Sequence, residues 1–350
     1  MAQSPTAAAS LPKSRLRLSA YGERVAAYTI LAAVFAWLVV NFLDNPQQFL
    51  SAAVFGISNG ALYALIALGY SLVYGIIELI NFAHGDLFML GTLFSGFIIT
   101  VVFGSKAMSA MGWVAFLVAL VLVILFCASI NMSIEFLAYR RLRHAPKLAP
   151  LITAVGMSFV LQFVGLKWNG STQKSQPSVL PQGYIDLGGV RIYTSFLIVL
   201  AVTIPILGLM TWIVTKTRMG KAMRATAQDQ DAARLMGVNV NRIISFTFGI
   251  GGALAGVAGL MYEQTVGTTR YDLGLQLGLI AFTAAVLGGI GSLPGAVLGG
   301  VLIGLIQGLN EGVRYGAGQR WTQSVVFSIL ILFMVFKPTG LMGVSMREKV

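Results

Sequence analysis

The chain has 350 residues, of which 57% are hydrophobic and only 10% charged, and its mean hydropathy is +0.81. A soluble domain carries about a quarter charged residues, so a water-facing surface cannot be built from this composition. The formal charge of +12 would suit a nucleic-acid partner in a soluble protein, whereas membrane proteins concentrate Lys and Arg in their cytoplasmic loops.

A membrane-crossing helix needs about 20 mostly apolar residues. Residues 1–24, with Pro5 and Pro12, read as a mobile N-terminal tail. Apolar segments then follow at 25–43, 50–77, 86–104, 112–138, 148–167, 194–215, 243–262, 275–291, 295–311 and 323–337, and 339–350 reads as a C-terminal tail. The predicted fold is therefore all-α, a polytopic transmembrane bundle occupying 25–338. The first run lacks an A-x-A cleavage pattern and is followed by further spans, so it reads as an uncleaved helix. Turn residues or charge separate the segments, as at Asp44-Asn45-Pro46 and Ser292-Leu293-Pro294-Gly295. Segments 275–291 and 295–311 are short and tightly joined, so they also read as half-helices entering and leaving by one side. About 8–10 spans is the resulting range.

Loop charge orients the bundle. With ten spans and the N-terminus inside, 17 of the 24 basic residues fall on the cytoplasmic side, among them Arg140, Arg141, Arg143, Lys147, Lys216, Arg218, Lys221, Arg224, Arg234 and Lys337. The seven others are Lys106, Lys167, Lys174, Arg191, Arg270, Arg314 and Arg320. Both termini come out cytoplasmic, and the basic charge is topological rather than a nucleic-acid footprint.

Two polar connections are long. Residues 167–193, on the outer side, read as a loop or cap. The stretch from Lys216 to Arg242 is cytoplasmic and rich in helix formers, with Gly237 placed as a C-terminal stop. Within it Ala225, Ala232 and Leu235 or Met236 share related faces, a surface another protein could approach closely, and Arg218, Lys221 and Arg224 precede Asp229 and Asp231. A helix held between two spans suits transmission of force to a partner. An amphipathic loop lying on the membrane face gives the same pattern.

The densest polar set near the first spans is Glu78, Asn81, His84 and Asp86. Ionisable groups at membrane depth are costly and face a cavity or the bundle interior. Gly85 is expected to allow a sharp re-entry, Asp86 to cap the next helix N-terminus, and His84 to be a satisfied interfacial residue. With Asn59 and Tyr63, the residues Asn81, His84, Gly85 and Asp86 are the candidates for a translocation pathway. Clusters such as Gly252-x-x-x-Gly256 and Gly300-x-x-x-Gly304 read as close helix packing. Two glycine-containing turns, in 75–91 and 290–304, share a sense of chain direction that a degenerate parallel repeat would produce. Cys127 lies in an apolar run and reads as a buried thiol.

A catalytic set, a metal site and a phosphate loop are not expected. The two histidines have no second ligand at a useful spacing, and Gly220-Lys221 lacks the flanking glycine and hydroxyl of a nucleotide-binding loop. One G-x-S-x-G match, Gly56-Ile57-Ser58-Asn59-Gly60, lies inside an apolar helical run and reads as chance.

Several separated stretches resemble the permease family of branched-chain amino-acid ABC importers. They are Gly69 to Asp86 with its core Asn81-Phe82-Ala83-His84-Gly85-Asp86, Tyr139-Arg140, Ile152 to Ser158, Met219 to Ala225, Ala232 to Val238, and Leu287 to Gly295. The resemblance covers about 50–340, in order. It implies that Arg218, Gly220, Lys221, Arg224, Ala225, Asp229, Ala232, Ala233 and Gly237 belong to a loop that docks on a cytoplasmic ATPase. It also implies a homologous second permease subunit, two ATPase subunits that bind ATP and Mg, an extracytoplasmic solute-binding protein, and residence in the inner membrane. The solute would be a branched-chain or other small amino acid, with urea or a short amide as the alternative within the family. A stand-alone secondary transporter or channel would need paired intramembrane carboxylates, and Glu135, Glu263 and Glu311 are scattered along the chain.

Overall fold

The computed structural model describes residues 13–104, 111–143, 145–146, 148–176 and 178–343, with side chains from Val25 onward. The chain divides into a unit at residues 1–46 and a second at 47–350. The first is built on helix α1 (Lys13–Asp44), which starts inside the stretch expected as a tail; residues 1–12 lie outside the described part.

The second unit is a helical bundle. In chain order come α2 (Pro46–Ile77), α3 (His84–Phe97), α4 (Gly112–Ile134), α5 (Leu148–Asn169), α6 (Thr194–Lys216), α7 (Arg218–Gln228), α8 (Gln230–Leu235), α9 (Val240–Val266), α10 (Leu273–Gly288), α11 (Leu293–Gly312) and α12 (Thr322–Phe336). Single π-helical turns extend α3 over Ile98–Phe103 and α4 over Glu135–Tyr139. Among the described residues nine helices, α1 included, are long and apolar enough to cross a membrane. The expected polytopic all-α bundle is what the chain forms. The segment expected at 275–291 forms α10, which has 16 residues and ends at Gly288. At 1.5 Å per residue it spans about 24 Å, short of the hydrocarbon core. Its antiparallel partner α11 has 20 residues and full spanning length.

Glycine decides which helices form the centre. A Cβ built on Gly304 would lie 2.2 Å from the Gly60 nitrogen, and one on Gly300 would lie 2.5 Å from Ala64 Cα, so α2 and α11 meet backbone to backbone. Gly252 meets the Cys127 carbonyl in the same way, joining α9 to α4, and Gly259 meets the Phe88 carbonyl, joining α9 to α3. Such approach substitutes dispersion contact for the hydrophobic force that lipid removes. Accordingly α2 and α9 are 83% buried over their most apolar windows, whereas α12 is 11% buried and presents its side chains outward. Cys127 is buried, as expected.

The long polar connection after α5 is more ordered than a plain loop. Strand β1 (Lys174–Ser175) pairs with β4 (Thr268–Thr269), and β2 (Tyr184–Leu187) pairs with β3 (Val190–Tyr193) as an antiparallel hairpin. Near the other terminus, the amides of Leu341 and Met342 donate to the carbonyls of Leu287 and Gly288 at 2.9 Å each, tying 341–342 to the end of α10. The rest of the expected C-terminal tail, 344–350, lies outside the described residues.

Candidate functional site

The α6–α9 connection forms two helices, not the single one expected. Thr217 caps α7, its hydroxyl accepting from the Gly220 amide at 3.1 Å. Asp229 then breaks the helix with an extended backbone, and its carboxylate accepts from the amides of Asp231 (2.8 Å) and Ala232 (3.0 Å) to start α8. Gly237 ends the element at φ +82, with the Val238 amide reaching back to the Ala233 carbonyl at 3.0 Å. That is the left-handed stop anticipated for it.

This element is wedged against the bundle. A Cβ on Gly220 would lie 2.2 Å from the Val214 carbonyl oxygen, so only glycine lets α7 fold back on the end of α6. Arg224 donates to the same Val214 carbonyl. Met223 is buried and lines a small cavity with Ser71, Gly75 and Ile76 of α2 and with Gly291 before α11. The opposite face is bare: Ala225 and Ala232 are exposed, and Leu235 and Met236 are 88% and 84% exposed. Ala233, by contrast, turns inward at 4% exposure and cannot belong to that face. Arg218, Lys221, Asp229 and Gly237 are exposed.

The turn between α2 and α3 departs from expectation in three respects. Glu78, not Gly85, takes the left-handed backbone (φ 52) that reverses the chain. Gly85 sits in the first turn of α3, where a Cβ would lie 2.3 Å from the Gly274 carbonyl oxygen, so its smallness serves packing against α10. The N-cap of α3 is Ala83, without a side-chain cap; Asp86 is in the first turn, and its Oδ2 accepts from the Ser158 hydroxyl of α5 at 2.5 Å. His84 is fully buried, not interfacial. Its ring stands edge-on to Tyr70 at 4.7 Å, and neither nitrogen has a hydrogen-bond partner among the described residues. Asn81 is a structural tie: its Oδ1 accepts from the Tyr139 hydroxyl at 2.8 Å, and its amide faces Asn131, which donates to the Phe248 carbonyl at 2.6 Å.

Close by, Glu135 is completely buried yet compensated. Arg140 donates to it at 2.9 Å, the Ser245 hydroxyl donates at 2.6 Å, and Arg143 donates to its other oxygen. Arg143 also reaches Asn241 at 2.6 Å, joining α4 to α9. Burial holds the Arg143 guanidinium below its ordinary value, and the facing carboxylate offsets part of that. Glu135 and Arg143 line a cavity of about 390 Å³ with Glu78, Tyr139 and Gln230 of α8. This cluster was not anticipated from spacing. The π-helical turn adds a residue, so the residue brought back over Glu135 lies five positions on, where an α-helical reading looks three or four away.

Asn59 and Tyr63 line a second cavity with Gln307 and Glu311, whereas the His84 ring packs against α2 at Gly69 and Tyr70. The serine of the G-x-S-x-G match, Ser58, is buried inside α2, which rules out the strand-to-helix turn that a nucleophile elbow needs.

A helical bundle with polar cavities and a wedged, amphipathic pair of helices at one end is the architecture of a multi-pass membrane permease. Residues 52–335 match the family described as branched-chain amino acid transport system / permease component, and the chain belongs to it. It is 39% identical over 317 residues to the high-affinity branched-chain amino acid transport system permease protein BraD of Pseudomonas aeruginosa, covering 88% of this chain and all of that one. It is 38% identical to the corresponding LivH of Escherichia coli K12 over 306 residues, 86% of this chain and 98% of LivH. A solved structure, PsaBC from Streptococcus pneumoniae in complex with Fab, is 16% identical with a TM-score of 0.40 over 86% of this chain and 95% of that one, too distant to carry an argument.

Proposed function

We propose that this permease imports a branched-chain or other small aliphatic amino acid across the bacterial inner membrane, driven by ATP hydrolysis in partner chains. In this reading a second, homologous permease subunit completes the membrane part. Two cytoplasmic ATPases bind ATP and Mg, and an extracytoplasmic binding protein delivers the solute. The α7–α8 element faces the cytosol with both termini and docks in the ATPase, while membrane lipid surrounds the outer helices.

The observation that carries the reading is the two-sidedness of α7–α8. Its inner face is locked to the bundle through Gly220, Met223 and Arg224, so a displacement there must be felt by α2, α6 and the α10–α11 turn. Its outer face leaves Leu235 and Met236 almost wholly uncovered by the rest of the chain. Two adjacent large apolar side chains left bare beside a locked inner face suit an interface with another protein. ATP binding then shifts the equilibrium between inward and outward cavities through differential contact with this element.

The test is Leu235→Asp with Met236→Asp in the full transporter. Both side chains touch little of their own chain, so the permease should fold normally. Co-purification of the ATPase and ATP-driven leucine uptake should fall about tenfold or more, as for the loss of an interface anchor. Unchanged uptake with an intact complex would remove the docking assignment.

A further inference from the structure

At the end of the bundle opposite α7 and α8, a cavity of about 340 Å³ opens between α2, α9, α10, α11 and the start of α12. Ligand sites run from about 300 to 1,000 Å³, so this one has room for a single small solute. Its lining is divided by chemistry. Leu62, Leu277 and Ile280 supply aliphatic lining, and Gln276, Glu311 and Arg320 are among its polar groups. Glu311 and Arg320 are the charged residues of the lining.

Glu311 is held from one side only. The amide of Gln307 and the hydroxyl of Thr322 both donate to its Oε1, at 3.0 and 2.8 Å, and the Tyr63 hydroxyl fixes Gln307 in turn at 2.5 Å. Its Oε2 accepts none of these bonds. Arg320 lies on the short 3₁₀ turn Gln319–Trp321 and has no ion-pair partner among the described residues. One positioned carboxylate, one guanidinium without an ion-pair partner among the described residues and aliphatic lining groups complement a solute bearing an ammonium, a carboxylate and a branched hydrocarbon chain.

We propose that this cavity binds a zwitterionic aliphatic α-amino acid, its ammonium against Glu311 and its carboxylate against Arg320. The inference rests on the importer reading above, in which this end faces outward and receives the delivered solute. A zwitterion satisfies both protein charges at once, through charge-assisted bonds. An amine or acid alone leaves one charge unmatched, and urea leaves both unmatched and sets polar groups against the aliphatic lining. The cavity therefore separates the amino-acid reading from the urea alternative.

The experiment uses the complete transporter, with its ATPases and binding protein, in proteoliposomes. Gln276→Cys, an exposed position on the lining, reports occupancy, because Cys127 is the one native cysteine and is buried. Leucine should slow labelling of that thiol by a bulky impermeant maleimide about threefold at saturation. Neither 4-methylpentanoate nor isoamylamine, each with one charge, should do so. Adding Glu311→Gln or Arg320→Gln should abolish the protection and lower leucine uptake about tenfold, while hydrolysis stimulated by the loaded binding protein persists. Glutamine keeps an acceptor oxygen for Gln307 and Thr322, so the E311Q variant should fold. The proposal is overturned if leucine leaves labelling unchanged, if singly charged analogues or urea protect equally, if both variants transport at full rate, or if stimulation is lost. Failure of the importer reading itself is distinct: wild type would then show no ATP-driven leucine uptake at all.

Discussion

Glu135 and Asp86 are both buried carboxylates, and their surroundings give them different consequences on mutation. Glu135 faces two guanidinium groups and a hydroxyl. Removing one member of a buried ion cluster leaves the others uncompensated at a cost of about 3 kcal/mol. Glu135→Gln should therefore lower the thermal unfolding midpoint of the detergent-purified protein markedly, whereas Arg320→Gln, which breaks no ion pair among the described residues, should leave it unchanged. Asp86 accepts from the Ser158 hydroxyl, and its other oxygen has no partner among the described residues. Ser158→Ala should cost about 1–3 kcal/mol, the desolvation cost of a stranded acceptor, in the same measurement. The importance of Asp86 was legible as polarity at membrane depth; its partner was not, because Ser158 is 72 residues away and nothing local pairs them.

At the scale of helices, glycine positions fall into two groups that composition alone cannot separate. Gly304 abuts the backbone of Gly60, while a Cβ on Gly208 would meet nothing within 4 Å. Gly304→Leu should abolish the monodisperse peak of folded protein in size-exclusion chromatography, since neither backbone can retreat. Gly208→Ala should be neutral or stabilise by about 0.5–1 kcal/mol, as expected where a helix loses only glycine's backbone freedom. The short α8 depends on its cap: Asp229→Ala removes two accepted amide bonds and should cost about 1 kcal/mol. Because α8 has only six residues, that loss should appear as faster amide hydrogen exchange confined to 230–236. Helix-forming composition made this region readable as helical, and Gly237 marked its end. The division at Asp229 was not evident, since aspartate is tolerated inside helices and becomes a break only where the chain must turn.

For the molecule as a whole, orientation is the property on which the importer reading depends. Ala225→Cys, exposed on α7, should react with an impermeant maleimide in inside-out vesicles and not in intact spheroplasts; the reverse pattern would invert the bundle and leave no place for a cytosolic ATPase. The order of spans, the basic asymmetry and the family motifs all follow from the linear chain. Hydropathy and loop charge are sums over neighbours, so a single strand of text contains them. The alternation of turns and apolar runs likewise placed the long apolar helices from α2 to α12 within a few residues, α10 included, whereas α1 begins at Lys13, inside the expected tail. What the linear chain could not contain is which polar residues share a space. Asn59 and Tyr63 belong with Glu311 and Arg320, whereas Asn81 belongs with Tyr139 and Asn131. Those groupings depend on helices meeting through glycine faces and on one π-helical turn that shifts a helix face by a residue. Such contacts between distant segments exist only once the bundle has closed, because lipid offers no hydrophobic gradient to announce them and shape complementarity decides instead.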